Sequence, residues 1–170
     1  MRFKKSLVLI IITIIITFWI FYYLYYYKPL ASSLVDLEFY TYKGEKYSLN
    51  NFKGKYVFLN LFTSYCGSCS VELNILNKLN NMCINKDFEI VSLMVDKEGI
   101  PLLPQIVSSH NLTYIVGIAP SDIFRFFPDL SLTPTTYILN QQGYLVEKIT
   151  GYKSFNGWLK ILKKYNINCN

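Results

Sequence analysis

The sequence is short of charge, has one histidine and contains no dense basic stretch, and each shortage excludes a class of function. Asp, Glu, Lys and Arg together make up 16% of the 170 residues. After residue 5 no basic run exceeds Lys163-Lys164, so the positive patch expected of a nucleic-acid-binding protein is missing. His110 is the only histidine, and the CxxC motif formed by Cys66 and Cys69 has no second copy. We therefore expect no zinc site and no other cofactor.

Hydrophobic side chains are abundant, and their excess is concentrated near the N-terminus. Residues 6–27 contain no charge, and a helix of that length would span about 33 Å, close to a bilayer core of roughly 30 Å. Residues 1–5 are basic, and the positive-inside rule keeps such a flank in the cytoplasm. We predict a single-pass cell-membrane protein with a cytoplasmic tail (1–5), a transmembrane anchor (6–27), a tether (28–34) and an extracytoplasmic domain (35–170).

A cleaved signal peptide is the alternative interpretation of the same segment. Signal peptides have apolar regions of about 7–15 residues and end in small residues at the cleavage site. Here the apolar stretch is longer and ends in bulky aromatics, and Leu30-Ala31-Ser32 is only a weak cleavage site. Either interpretation moves the domain out of the cytoplasm, where disulfides persist, so the four cysteines are compatible with two bridges.

Apolar periodicity and turn residues predict alternating strands and helices in the domain. The predicted elements, in chain order, are a β-hairpin (37–48), strand 56–62, a helix following the CxxC motif, strand 88–95, helix 101–110, strand 114–118, one or two helical turns at 122–127, strands 135–139 and 144–149, and helix 155–165. This order predicts an α/β fold with a central mixed sheet, helices on both faces and an N-terminal β-hairpin extension.

The CxxC motif lies where a buried strand gives way to a helix. The free N–H groups and the dipole at a helix N-terminus stabilise an anion, so the first thiol ionises more easily. The spacing places both sulfurs on one face of the first turn, within bonding distance. We predict that Cys66 attacks and that Cys69 resolves the mixed disulfide. The alternatives are a static structural disulfide and half of a metal site.

Two long segments resemble the TlpA/ResA-like thioredoxin family of membrane-anchored thiol–disulfide oxidoreductases. The segment LEFYTYKGEKYSLNNFKGKYVFLNLFTSYCGSC follows that family's first hairpin, its L-x-x-F-K-G-K turn and its L-N-F-W-A-x-W-C-x-x-C strand. The segment LTPTTYILNQQGYLVEKITGY follows its G-x-P-T-T-F-L-I-D-x-x-G pattern. The resemblance implies a thioredoxin-like fold and disulfide exchange outside the cytoplasm.

The resemblance also assigns roles to individual residues. Pro134, after Thr133, matches the family's cis-proline, whose loop faces the CxxC motif and holds the partner's chain; Tyr65 lies beside that surface. Glu72 matches an acid that exchanges a proton with the buried thiol, although a carboxylate that complements the helix dipole is an equal alternative. Asn60 stands where cytoplasmic thioredoxins place a buried Asp, which favours Glu72 as the proton acceptor.

Three departures from the family pattern surround the motif. Tyr65 replaces the usual Trp, Gly67-Ser68 replaces dipeptides that contain proline, and Asn74 replaces a helix-kinking proline. These changes leave the fold expectation intact and keep reduction and oxidation of partner proteins as alternatives.

The second pair of cysteines lies far from the motif in the resembled topology. Cys83 falls near the end of the helix that follows the CxxC motif, and Cys169 follows the last helix. In a thioredoxin-like topology these helices lie on one face of the sheet and run the same way, so their C-terminal ends should meet. We predict a structural Cys83–Cys169 disulfide; the alternative is two unpaired thiols, with Cys83 packed as a small hydrophobe.

The function expected from this resemblance is reduction of disulfides in protein partners such as apocytochrome c or copper-site proteins. Such a reductase needs a membrane protein that supplies electrons. The alternatives are a thiol oxidant or isomerase, a copper-binding chaperone, and a peroxidase in which Arg125 accompanies a T-x-x-C motif. The peroxidase alternative is weakened because Leu59 replaces the proline of the peroxiredoxin loop. Four aromatic residues could line a groove for a partner peptide but are expected mainly in the core: Phe124, Phe126, Phe127 and Tyr137.

Overall fold

The computed structural model describes residues 11–22, 34–83, 87–167 and 169, and the chain divides into two compact units, 1–30 and 31–170. In the first unit, residues 11–22 form a helix. Within the described ranges, no helix has both the length and the hydrophobicity that crossing a membrane requires. The predicted anchor extends past the described helix at both ends, while the tail and most of the tether lie outside the described residues.

The second unit is organised around one seven-stranded sheet. Its strands are β1 (Glu38–Thr41), β2 (Lys46–Ser48), β3 (Tyr56–Phe62), β4 (Phe88–Met94), β5 (Ile115–Ile118), β6 (Thr135–Leu139) and β7 (Leu145–Thr150). The spatial order is β2-β1-β5-β4-β3-β6-β7. The strands β3, β4 and β5 run parallel, and the other neighbouring pairs are antiparallel. The predicted mixed sheet with an N-terminal hairpin is therefore confirmed.

β3 is an interior strand next to the central strand β4, because its apolar run can be buried on both faces. Alternate side chains of β3 point to opposite faces, so Phe58 and Phe62 enter one core, while Leu59 and Leu61 enter the other. β3 pairs in parallel with β4 and antiparallel with β6. This position brings the C-terminal end of β3, where the CxxC motif begins, to the middle of one sheet edge.

Four α-helices cover the two faces of the sheet. They are α1 (Gly67–Met82), α2 (Leu103–Ser109), α3 (Ile123–Phe126) and α4 (Phe155–Lys164). Apolar residues of α1, α2 and α4 pack in the core with Phe58, whereas α3 and the 3-10 turn Leu49–Phe52 pack in the core with Leu59. The expectation of helices on both faces is therefore correct.

The far ends of α1 and α4 meet away from the CxxC motif. α1 ends at Met82, and Cys83 follows as its C-cap, 2% exposed. In the structure Cys83 and Cys169 form a disulfide with a Cα–Cα distance of 4.3 Å across a sequence separation of 86. The bridge ties the end of the chain to the helix that carries the CxxC motif.

Candidate active site

The CxxC motif forms the first turn of α1. Cys66 is the N-cap residue of this helix, with an extended backbone, and Cys66 and Cys69 form a disulfide with a Cα–Cα distance of 5.2 Å. The two cysteines differ in access, since Cys66 is half-buried, whereas Cys69 is 1% exposed. Only Cys66 can therefore be reached by another molecule without rearrangement.

The surroundings of the Cys66 sulfur favour a thiolate after reduction. The backbone N–H of Cys69 lies 3.1 Å from Cys66 Sγ, and Ser68 Oγ lies 3.4 Å from it. These groups belong to the first turn of α1, where the helix dipole adds a partial positive charge. N–H donors and this dipole stabilise negative charge on the sulfur, which makes Cys66 the better nucleophile of the pair.

The loop before β6 faces the same sulfur. The Thr133–Pro134 peptide bond is cis, and the carbonyl oxygen of Thr133 lies 3.5 Å from Cys66 Sγ. The hydroxyls of Thr133 and Thr63 are 3.1 Å apart, which ties this loop to the end of β3. On its other side, the N–H of Gly151 donates to the Pro134 carbonyl at 2.8 Å. The loop thus lies where an extended partner chain would meet Cys66.

Glu72 lies on the inner face of α1, one turn beyond Cys69. Its side chain is 1% exposed, and its carboxylate accepts hydrogen bonds from the Lys153 backbone N–H at 3.1 Å and from Asn60 Nδ2 at 3.4 Å. Burial raises the pKa of Glu72 from 4.5 to about 7, although these N–H donors and the Trp158 indole oppose the shift. A carboxyl with this pKa can give or take a proton near neutral pH.

Glu72 occupies the second turn of α1, since the helix begins at Gly67. Complementing the helix dipole requires a charge in the first turn, because the effect falls off beyond it. The position of Glu72 therefore argues against the dipole alternative. Residues three apart share one helix face, which directs the side chains of Cys69 and Glu72 into the same part of the core.

Tyr65 and a neighbouring groove form the open side of the site. Tyr65 is 81% exposed beside the half-buried Cys66. The groove next to it has a volume of about 460 Å³ and is lined by Phe124, Leu132 and Thr133 among others. Phe124 is 56% exposed. Of the four aromatic residues named from the sequence, the other three lie in the core as expected: Phe126, Phe127 and Tyr137.

Asp96 is a site residue that the sequence analysis missed. It follows β4 and is buried against the loop before the CxxC motif, where it accepts from the Ser64 N–H at 2.9 Å and the Ser64 hydroxyl at 2.6 Å. Asp96 therefore holds the backbone that precedes Tyr65. Its position just after a buried parallel strand could have identified Asp96 as a site residue, because the C-terminal ends of parallel strands share one edge of the sheet.

His110, the single histidine of the sequence, contacts two side chains of α1. The ring is half-buried against α1, with Nδ1 at 2.9 Å from Asn74 Oδ1 and Nε2 at 3.1 Å from Ser70 Oγ. The polar side chains of α1 supply both partners, including the asparagine that replaces a proline. Arg125, the cation of the peroxidase alternative, pairs instead with Asp122 at 3.0 Å.

Reversible formation of a disulfide, with one accessible sulfur and one buried sulfur beside an acid, is the chemistry that this geometry supports. It places the domain among thioredoxin-fold oxidoreductases. The chain belongs to the Redoxin family, and the match covers residues 31–161.

Curated relatives carry the name thiol-disulfide oxidoreductase ResA. The protein of this name from Bacillus thuringiensis subsp. konkukian is 30% identical over 132 residues, which cover 77% of this chain and 72% of the relative. The one from Bacillus subtilis is 27% identical over 108 residues, which cover 64% of this chain and 60% of the relative. The resemblance stated from the sequence is confirmed, and the chain is a thiol-disulfide oxidoreductase of this type.

Solved structures share the fold. A thioredoxin family thiol:disulfide interchange protein from Chlorobium tepidum has a TM-score of 0.68 at 21% identity, covering 75% of this chain and 90% of that one. An exposed lipoprotein thioredoxin from Streptococcus pneumoniae has a TM-score of 0.66 at 20% identity, covering 76% and 98%. A secreted disulfide oxidoreductase from Mycobacterium tuberculosis has a TM-score of 0.64 at 17% identity, covering 79% and 99%.

Proposed function

We propose that this protein reduces disulfides in partner proteins outside the cytoplasm. The observation that carries the proposal is the asymmetry of the cysteine pair. Cys66 is accessible beside an open groove, while Cys69 is buried one helical turn from Glu72. This arrangement suits a two-step exchange. The accessible sulfur forms a mixed disulfide with the partner, and the buried sulfur then resolves it.

In the first step, the Cys66 thiolate attacks one sulfur of the partner's disulfide. A mixed disulfide forms, the partner's S–S bond breaks, and the departing thiolate takes a proton from solvent. In the second step, Glu72 accepts the proton of the Cys69 thiol, and the new thiolate attacks Cys66 Sγ. The second partner thiolate leaves and is protonated, so two electrons have moved from the Cys66/Cys69 dithiol to the partner.

Protein substrates are favoured over small disulfides by the surface around Cys66. Tyr65, Phe124 and Leu132 are exposed apolar side chains that flank the groove, and exposed apolar surface marks sites of protein contact. The carbonyl of Thr133, next to the cis-proline, faces the reacting sulfur and can align an extended chain. Apocytochrome c and copper-site proteins, whose cysteines must be kept reduced in an oxidising space, fit this class of substrate.

A membrane anchor at 6–27 and an extracytoplasmic domain are part of the same proposal. The described helix, residues 11–22, contains isoleucine, aromatic and threonine side chains on all sides, and its large apolar side chains are exposed. A helix that is hydrophobic all round needs apolar surroundings. The structural relatives include a protein described as secreted and another described as an exposed lipoprotein. An external reductant must be re-reduced, which implies a membrane protein as electron donor.

The reduction potential of Cys66/Cys69 tests the direction of electron flow. Full-length protein in mild detergent is equilibrated with glutathione or dithiothreitol, and the fraction oxidised is followed by thiol alkylation and mass. Thioredoxin lies near about −270 mV and the oxidant DsbA near about −120 mV. We expect a value close to the first; a value close to the second would show that the protein acts as an oxidant or isomerase.

A further inference from the structure

A line of buried polar side chains crosses the sheet beneath α1. Asn60 lies on β3, Ser92 is its register partner on β4, and Tyr114 immediately precedes β5. All three are buried, and the line leads from Tyr114 to Glu72. Buried polar groups stabilise the fold only when they are hydrogen-bonded. The hydrogen-bond partners of each group therefore indicate the role of this line.

The contacts in this line connect end to end. Tyr114 Oη lies 3.2 Å from Ser92 Oγ, and Ser92 Oγ lies 3.3 Å from Asn60 Oδ1. The Asn60 Nδ2 group then donates to Glu72 Oε2 at 3.4 Å and to Thr136 Oγ1 at 3.1 Å. The amide of Asn60 therefore joins the hydroxyl pair to the carboxylate.

Ser92 Oγ is the donor in both of its contacts. The Asn60 Oδ1 atom can only accept, and Ser92 Oγ is placed to donate to it and to Tyr114 Oη. Tyr114 therefore competes with Asn60 for the single proton of Ser92. Burial raises the pKa of Tyr114, although the contact with Ser92 opposes the shift, so this hydroxyl keeps its proton. The contact between Ser92 and Asn60 is thus the one that turns the N–H group of the amide toward Glu72.

We propose that Ser92 is a positioning residue that holds the Asn60 amide with its N–H group toward Glu72. The inference rests on the proposed role of Glu72 as proton acceptor for Cys69. When Glu72 ionises, a fixed N–H donor stabilises the carboxylate, and hydrogen bonds to a charged group are stronger than neutral ones. Without the Ser92 hydroxyl, only the contact with Thr136 still holds the amide, which can then turn its oxygen toward Glu72 and oppose ionisation.

Other groups also face the Glu72 carboxyl and remain in place when the line is cut. They are the Lys153 backbone N–H and ammonium group and the Trp158 indole. Within the described part of the chain, the Trp158 indole N–H has no acceptor at hydrogen-bonding geometry, but the indole still favours the charged form of Glu72. A change at Ser92 therefore alters one contribution to the Glu72 pKa and leaves the others.

The test is the titration of the Glu72 carboxyl in Ser92→Ala and Tyr114→Phe. Full-length protein is labelled with ¹³C at glutamate carboxyls, and the Glu72→Gln variant identifies the resonance. We expect the apparent pKa of Glu72 to rise by roughly half a pH unit in Ser92→Ala, as for the loss of one hydrogen bond. No rise is expected in Tyr114→Phe, because that variant leaves the Ser92 proton to Asn60. Tyr137→Phe is the matched control, because Tyr137 packs in the core on the other face, and no change is expected there.

The proposal is overturned if the Glu72 titration in Ser92→Ala coincides with that of the unaltered protein, or if Tyr114→Phe or Tyr137→Phe raises the pKa equally. Should Ser92→Ala fail to fold, Ser92→Val replaces it, because valine also lacks the hydroxyl and suits a buried strand. The role of Glu72 is tested separately by measuring, in Glu72→Gln, the rate at which Cys69 resolves the mixed disulfide. If that rate is unaltered while the titrations shift as expected, the line positions Asn60 but Glu72 is not the proton acceptor.

Discussion

Replacing Glu72 by glutamine should change how the stability of the protein depends on pH. The folded state keeps Glu72 protonated up to about pH 7, whereas in the unfolded chain the carboxyl ionises near 4.5. Between these values the folded state binds more protons, so the free energy of unfolding falls as pH rises through this window. At about 1.4 kcal/mol per pKa unit, burial of this acid costs about 3 kcal/mol of stability above pH 7.

Glutamine keeps the shape of the protonated acid but cannot ionise. The Glu72→Gln variant should therefore gain stability relative to the unaltered protein as pH rises from 4.5 to 8, by up to about 3 kcal/mol. The assay is equilibrium unfolding in guanidinium chloride with both disulfides intact, at a series of pH values. Comparing two variants of the same full-length chain cancels the contribution of every group that they share.

Glu147→Gln provides a control with the opposite sign. Partial burial acts to raise its pKa, but hydrogen bonds from Lys164 and Tyr165 prevail and lower the pKa of Glu147. Its contribution to stability is present at neutral pH and is lost as pH falls through the folded-state pKa. The Glu147→Gln variant should be less stable than the unaltered protein at pH 7, by less than about 1 kcal/mol, and equal to it in acid.

The reasoning about Glu72 is refuted by one result. If the stability difference between Glu72→Gln and the unaltered protein is the same at pH 4.5 and at pH 8, the carboxyl does not titrate in this window. Its burial beside Asn60 and Lys153 would then have no bearing on proton exchange with Cys69.

Three further results are expected. Cys69→Ser should accumulate a mixed disulfide with a partner protein, visible as a covalent adduct by mass, whereas Cys66→Ser should form none; the reverse pattern would exchange their roles. Phe124→Ala should raise KM for a protein disulfide but not for a small disulfide, and equal effects on both would argue against the groove. Cys83→Ser should lower the free energy of unfolding by about 4 kcal/mol, and an unchanged value would show that Cys83 and Cys169 are not bridged.

Much of the fold could be predicted because its signals are local. The apolar run of β3, the turn glycines and the start of α1 at the CxxC motif each depend on neighbouring residues. Pro134 could be identified because the cis bond belongs to a recognisable sequence pattern. Element boundaries differed by a few residues, as where the predicted helix 101–110 opens with the 3-10 turn Ile100–Leu102 before α2.

The contacts that give the site its chemistry could not be predicted, because they join distant parts of the chain. The sequence around Glu72 is consistent with two roles, and it does not report the burial of this acid or its bond to Lys153, 81 residues away. The contact between Ser92 and Asn60 depends on the register of two parallel strands, which no local pattern reports. The contacts of His110 with Asn74 and Ser70 likewise join residues that are 36 or more positions apart.

The short stretch after β7 serves two parts of the site at once. Gly151 donates its N–H to Pro134, and Lys153, the next residue but one, donates its N–H to Glu72. Gly151 has a φ of +80°, a backbone conformation that glycine adopts without strain. One residue inserted between these donors would detach either the proline loop or the acid. Both the reaction and the fold therefore fix the number of residues in this connection. Among related proteins that keep the activity, the length of this segment should vary less than the identity of its side chains.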